Sequence, residues 1–119
     1  MHIKASSVDA VAIIEIARPE KKNALTAAMY RMMSDAVHAA GADGTVCALL
    51  ITGQPGVFTA GNDLEDFMQR PPANFDSPVF RFMQAVVDCE KPIVAAVNGA
   101  AVGIGTTLLL HCDLVYLAD

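Results

Sequence analysis

At 119 residues, 54% hydrophobic and 18% charged, the chain has the composition of one globular domain built round an apolar core. Eight basic residues against thirteen acidic leave a formal charge of −5, and no basic cluster exceeds Lys21-Lys22, which argues against a nucleic-acid footprint. Met1-His2-Ile3-Lys4 lacks the apolar stretch of a signal peptide, and no apolar run approaches the ~20 residues that span a bilayer. These features predict a soluble, cytoplasmic protein with no membrane partner.

Cys47, Cys89 and Cys112 are widely spaced, and each lies in an apolar stretch with no Cys-x-x-Cys pair. Buried, reduced thiols are expected. His2, His38 and His111 are equally scattered, so no metal site is expected.

In chain order, Val11-Ala12-Ile13-Ile14-Glu15-Ile16 reads as a mostly buried strand that stops at Arg18-Pro19, where proline removes a ladder donor. Lys21-Lys22-Asn23 follows as a polar loop. Thr26 can cap a helix whose apolar stripe is Met29, Met32, Met33, Ala36, Val37 and Ala40, with Gly41 and Gly44 ending it. Met29 stands where a capping box needs Glu or Gln. The apolar run 46–52 suits a parallel strand covered on both faces. A turn over 53–56, a short helix over 63–68, a breaker at Pro71-Pro72 and a helix over 78–89 come next. Residues 93–97 form another buried strand, 99–105 a glycine-rich turn, 106–111 a helix and 113–117 a last strand. Strands alternating with helices imply an α/β fold with parallel pairing and no internal domain boundary.

Two strand-to-helix turns carry chemistry. In Phe58-Thr59-Ala60-Gly61-Asn62-Asp63-Leu64, small residues let the backbone bend and let a ligand approach, while the incipient helix leaves N–H groups free. In Val97-Asn98-Gly99-Ala100-Ala101-Val102-Gly103-Ile104-Gly105-Thr106-Thr107, a buried strand again runs through glycines into a helix. Either turn alone also suits plain helix capping or close strand–helix packing. Together they permit two backbone donors on one oxygen, as a thioester carbonyl becoming an enolate requires, each donor being worth about 3 kcal/mol in a dry site.

Arg18-Pro19-Glu20-Lys21-Lys22-Asn23-Ala24-Leu25, the 58–64 turn, and the stretch from Lys91-Pro92-Ile93-Val94-Ala95-Ala96-Val97-Asn98-Gly99 through Cys112-Asp113-Leu114 resemble the signatures of the crotonase (enoyl-CoA hydratase/isomerase) superfamily, in its order and spacing. The resemblance implies a ββα spiral with parallel strands, of which residues 1–119 are the incomplete N-terminal part of one domain. It implies that the N–H groups of Asn62 and Ile104 form an oxyanion hole, with Gly103 beside the second donor. It places Lys22, Asn23, Ala24 and Leu25 along the coenzyme A moiety, largely through backbone contacts, and Ala60, Gly61, Asp63 and Leu64 around the acyl thioester. Coenzyme A is then part of the substrate, and no separate cofactor is implied. A homotrimer or hexamer is implied for the full-length protein.

The sequence departs from the hydratase pattern at Thr107, where those enzymes usually carry Glu, and no Asp or Glu lies between Val97 and Cys112. Gly-Asn-Asp-Leu at 61–64 and Val-Gly-Ile-Gly at 102–105 look more like the Δ3,Δ2-enoyl-CoA isomerase branch. In that branch a single carboxylate moves a proton from C2 to C4, and here it is expected beyond Asp119. Residues 1–119 alone are accordingly expected to be inactive. A hydratase-type or non-catalytic homologue remains an alternative. A more distant one is an NAD(P)-binding short-chain dehydrogenase, whose Gly-x-x-x-Gly-x-Gly turn matches Gly99, Gly103 and Gly105. That turn normally follows the first strand of its domain, whereas here about 90 residues precede it.

Overall fold

The computed structural model describes residues 2–54, 56–59, 61–69, 77–97, 99–101, 112 and 114–117. Strands β1 (Ile3–Val8) and β2 (Val11–Ile16) lead through a 3-10 turn (Pro19–Lys21) into helix α1 (Ala27–Ala42). Strands β3 (Ala48–Thr52) and β4 (Gly56–Thr59), helices α2 (Leu64–Gln69) and α3 (Pro78–Asp88), and strands β5 (Ile93–Val97), β6 (Gly99–Ala101) and β7 (Leu114–Leu117) follow. The main sheet has the order β1-β2-β3-β5-β7, parallel throughout except for the antiparallel edge strand β1. Strands β4 and β6 form a separate parallel pair. The architecture is mixed α/β with parallel strands, as expected.

Register explains the core. Ile14 pairs with Ile51, and Ile51 with Ala95, so one face of the sheet carries Ala12, Ile14, Ile16, Leu49, Ile51, Ile93, Ala95 and Val97, all buried. Met29, Tyr30, Met33 and Val37 of α1 and Phe82, Ala85 and Val86 of α3 complete the same apolar cluster. Their spacing of three, four and seven residues is one stripe of each helix. Thr26 accepts a hydrogen bond from the Met29 amide at 3.2 Å, which satisfies one of the unpaired donors at the start of α1. At the other end, Lys91 Nζ donates to the carbonyls of Ala40 and Asp43 at 2.7 and 2.6 Å.

The structure corrects several expectations. Strand β1 lacks an apolar pattern (Ile-Lys-Ala-Ser-Ser-Val, only Ile3 buried) and pairs with β2 through a tight turn. In that turn Asp9 and Ala10 have φ of 49° and 68°, a left-handed pair that fits a two-residue hairpin but is uncommon without glycine. Helix α1 ends at Ala42, between Gly41 and Gly44, as expected. Exposure alternates along β3 and β5, so their second face is half-exposed rather than covered. Residues 99–101, within the expected glycine-rich turn, are strand β6, and β4 begins at Gly56, where the turn over 53–56 is expected to end. Cys89 and Cys112 are half-buried, and Cys47 is exposed because it precedes β3 at its rim instead of lying within it; none of the three is in a disulfide. The helix expected over 106–111 lies outside the described residues. No helix among the described residues is long and apolar enough to cross a membrane, and they hold no group of three or more His, Cys, Asp or Glu that could bind a metal ion.

Candidate active site

The loop from Arg18 to Leu25 is shaped by two consecutive left-handed residues, Lys22 at φ 52° and Asn23 at φ 57°. Asparagine tolerates this region better than most residues, and here its side chain also accounts for the choice. Asn23 is fully buried; its Nδ2 donates to the carbonyls of Ile16 at 3.0 Å and Phe58 at 3.1 Å, and its Oδ1 accepts from the Arg18 amide at 2.7 Å. Its own amide donates to the Arg18 carbonyl at 2.9 Å, and its carbonyl accepts from Thr59 Oγ1 at 2.7 Å. One asparagine thus ties the end of β2, the loop and β4 together.

This clasp delivers Leu25 to the second segment. The Leu25 amide donates to the Gly61 carbonyl and the Asp63 amide to the Leu25 carbonyl, each at 2.8 Å, forming a short parallel bridge between Leu25 and Asn62. Amides alternate in direction along an extended segment. With Asp63 turned towards Leu25, the Asn62 N–H therefore points to the opposite side, and it has no hydrogen-bond partner among the described residues. Gly61, at φ +94° and buried, makes the bend that brings Asn62 into this orientation, and its amide is held by Thr59 Oγ1 at 3.1 Å.

Side chains on either side lock the turn. Arg18 Nη1 donates to Asp63 Oδ2 at 2.8 Å and to the Ala24 carbonyl at 3.0 Å, both Arg18 and Asp63 being largely buried. Asp63 Oδ1 accepts from the Asp66 amide at 2.9 Å, capping α2. The Asp66 amide and the Arg18 guanidinium hold the Asp63 carboxyl below its ordinary value. Asp66 in turn accepts from the Ala27 amide at 2.9 Å, at the first turn of α1. Tyr30, buried in α1 with its ring 5.9 Å from that of Phe82, donates a short hydrogen bond to Asn62 Oδ1. Burial pushes the Tyr30 phenol well above its ordinary value, which keeps it a neutral donor.

Of the residues singled out from sequence, Asn62, Asp63, Gly61 and Leu25 are brought into one contact, with Ala24 held beside it through Arg18. Lys22 is exposed on the loop. Asn23 directs its side chain and its amide inwards as scaffold. The backbone of Leu64 begins α2. Ala60, Gly103 and Ile104 lie outside the described residues. Arg18, Tyr30, Thr59 and Asp66 were not anticipated. The only sequence trace of Arg18 is its place in the Arg18–Leu25 signature, because its partner Asp63 lies 45 positions away.

The arrangement is a small backbone-donor site at a strand-to-helix turn, the kind that binds an oxygen bearing partial negative charge. Residues 6–119 match the family model described as enoyl-CoA hydratase/isomerase, and the chain belongs to that family. It is 36% identical over 121 residues to human "Enoyl-CoA delta isomerase 2", covering 96% of this chain and 30% of that protein. It is 37% identical over 126 residues to "4-chlorobenzoyl coenzyme A dehalogenase-2" of an Arthrobacter species, covering 99% of this chain and 45% of that one. Among solved structures, Pseudomonas aeruginosa OdaA superposes with a TM-score of 0.95 at 51% identity over 98% of this chain and 47% of its own. The chain thus spans between about a third and a half of the length of these relatives and carries the N-terminal part of the crotonase fold.

Proposed function

We propose that this chain contributes both backbone donors of an oxyanion hole to an enzyme acting on acyl-coenzyme A thioesters, and that the reaction is Δ3-to-Δ2 enoyl-CoA isomerisation. The observation that carries the reading is the Asn62 amide: the Leu25 bridge turns it away from Leu25, and it has no partner among the described residues. The Ile104 amide supplies the second donor. The thioester oxygen gains negative charge as a proton leaves C2, and two fixed N–H groups stabilise that dienolate more than the ground-state carbonyl. Ala60, Gly61, Asp63 and Leu64 surround the acyl thioester, and the backbone from Lys22 to Leu25 runs along the coenzyme A moiety, which enters as substrate, with no separate cofactor.

Isomerisation is favoured over hydration by Thr107, which cannot serve as a carboxylate base, and by the lack of Asp or Glu between Val97 and Cys112. One carboxylate from beyond Asp119 then suffices to carry the proton from C2 to C4. The likeness to a protein named as a delta isomerase supports this choice. Relatives named as enoyl-CoA hydratases match at similar identity, 34% for one from Mycobacterium bovis, so a two-carboxylate hydration is the competing reading. We further propose a cytoplasmic enzyme whose complete chains form trimers or hexamers.

The test assays the full-length enzyme for conversion of a 3-enoyl-CoA to its 2-enoyl isomer and, in parallel, for hydration of a 2-enoyl-CoA. Isomerisation without hydration is expected, and hydration at a comparable rate overturns the single-carboxylate reading. Replacing the amide of residue 62 by an ester, which removes the N–H and weakens the Gly61 carbonyl as an acceptor for Leu25, lowers kcat by about 10²–10³ if that donor holds the oxyanion. An unchanged kcat in the ester variant removes Asn62 from the hole.

A further inference from the structure

On the outside of the helical layer, α1 and α3 enclose a pocket of about 340 Å³ lined by Arg31, Ser34, Asp35, His38, Pro78 and Arg81. The four α1 residues are spaced by three, one and three positions, which places them along one stripe of the helix, and Arg81 faces them from the first turn of α3. This stripe is distinct from the one that fills the core.

Two properties set the pocket apart. Two of the four arginines in the chain line it, and neither has an ion pair or a side-chain hydrogen bond among the described residues, although Asp35 lies on the same wall. Ser34 is 7% exposed, and its hydroxyl is buried with no hydrogen-bond partner. A serine within a helix ordinarily returns its hydroxyl to the carbonyl one turn back, and Ser34 does not. Ser77, the residue before Pro78, carries the other buried hydroxyl without a partner, and it does not cap the α3 terminus it precedes. Unpaired guanidinium forks, an unsatisfied buried hydroxyl and the positive end of an 11-residue helix are thus gathered at one pocket.

We propose that this pocket binds a phosphate group, with Arg31 and Arg81 clamping its oxygens from the two helices and the Ser34 hydroxyl donating to it from the floor. Planar guanidinium groups match the oxygens of a phosphate in pairs, and two of them against the one Asp35 carboxylate leave a net positive charge that attracts a phosphate dianion more strongly than a carboxylate monoanion. Asp35 repels any anion and so restrains affinity. The phosphate is either free or a monoester on a small organic molecule. The site shares no residue with the thioester turn, so its failure leaves the acyl-coenzyme A reading untouched.

The test titrates the protein with inorganic phosphate, and separately with glycerol 3-phosphate, at constant ionic strength in chloride, following backbone amides by NMR. Saturable shifts confined to residues around Arg31, Ser34, His38 and Arg81 are expected. R31Q and R81Q each weaken the affinity about tenfold or more, as loss of charge-assisted hydrogen bonds requires. Both arginines are exposed, so these variants keep the fold, which the spectra without ligand verify. S34A weakens phosphate binding without lowering Tm in phosphate-free buffer, since it removes an unsatisfied hydroxyl. Tighter binding of glycerol 3-phosphate identifies an organic phosphate, and equal binding identifies the free ion. The absence of saturable shifts with both probes, or an affinity unchanged in the R31Q/R81Q double variant, overturns the proposal.

Discussion

Asn23 joins the end of β2, the loop after it and β4. Its side chain satisfies the carbonyls of Ile16 and Phe58 and the amide of Arg18, and its backbone sits at φ 57°. Replacing it by Ala leaves buried groups unpaired, at about 1–3 kcal/mol for each, and adds about 1–2 kcal/mol for a left-handed alanine. Asn23→Ala is therefore expected to lower stability by roughly 3 kcal/mol or more, and Asn23→Gly, which removes the backbone penalty, by distinctly less. Urea unfolding of the two variants measures the difference; equal losses would mean that the backbone conformation contributes nothing.

Asp63 predicts a pH dependence. The Asp66 amide and the Arg18 guanidinium stabilise its charged form, so its pKa in the folded state lies below the unfolded value of about 3.9. The associated stability is fully present above that unfolded value and is lost as pH falls through the lower, folded one. Unfolding midpoints followed downwards from pH 5 should fall in the native protein. Asp63→Asn starts lower and shows a shallower decline in the same range. Parallel declines would remove Asp63 as the source.

At the scale of elements, the ends of α1 and α2 are interlocked. Thr26 satisfies the Met29 amide from the residue before α1, while Asp66 reaches from α2 to the Ala27 amide of the same helix end. Thr26→Ala and Asp66→Ala are each expected to cost about 1 kcal/mol. The double variant reports coupling if its loss differs from the sum by more than about 0.5 kcal/mol. Because Asp66 also ties α2 to α1, Asp66→Ala should raise hydrogen exchange at the Asn62–Asp63 turn, whereas Thr26→Ala should not. The turn before β4 is equally constrained. A Cβ at Gly53 would lie 2.6 Å from the Val57 carbonyl oxygen and 2.7 Å from that of Phe58, both backbone atoms with little room to yield. Gly53→Ala is therefore expected to destabilise by about 1–3 kcal/mol, through displacement of β4.

Across the whole molecule, one face of the parallel sheet meets α1 and α3 and holds the core in which Leu49 and Ile51 have no exposure. Leu49→Ala should cost about 2–5 kcal/mol by opening a cavity among packed side chains, and calorimetry of that variant against Leu50→Ala, on the half-exposed face, should show a clearly smaller loss for the latter. The same packing sets the site, because Tyr30 belongs at once to the core cluster and to the hydrogen bond on Asn62.

Much of this was legible in the residues. The bounds of β2 and β5 and the apolar stripes of α1 and α3 are visible in the sequence, because periodic burial leaves its mark on local sequence. The 58–64 turn was equally visible, since only small residues permit such a bend. Strand β1 was not, because an exposed edge strand of lysine, alanine and serine carries no burial pattern; its partner β2 makes it a strand. The short pair of β4 and β6 was hidden for a related reason, each being stabilised by a segment some forty residues away. The sequence by itself therefore determined the alternation of strands and helices, the parallel sheet and the position of the donor turn. Only the tertiary structure decided which way the Asn62 amide faces, what Asn23 holds together and that Arg18 joins Asp63. Those depend on hydrogen bonds between residues tens of positions apart, and the direction of an N–H is fixed by its neighbours' partners rather than by its own side chain.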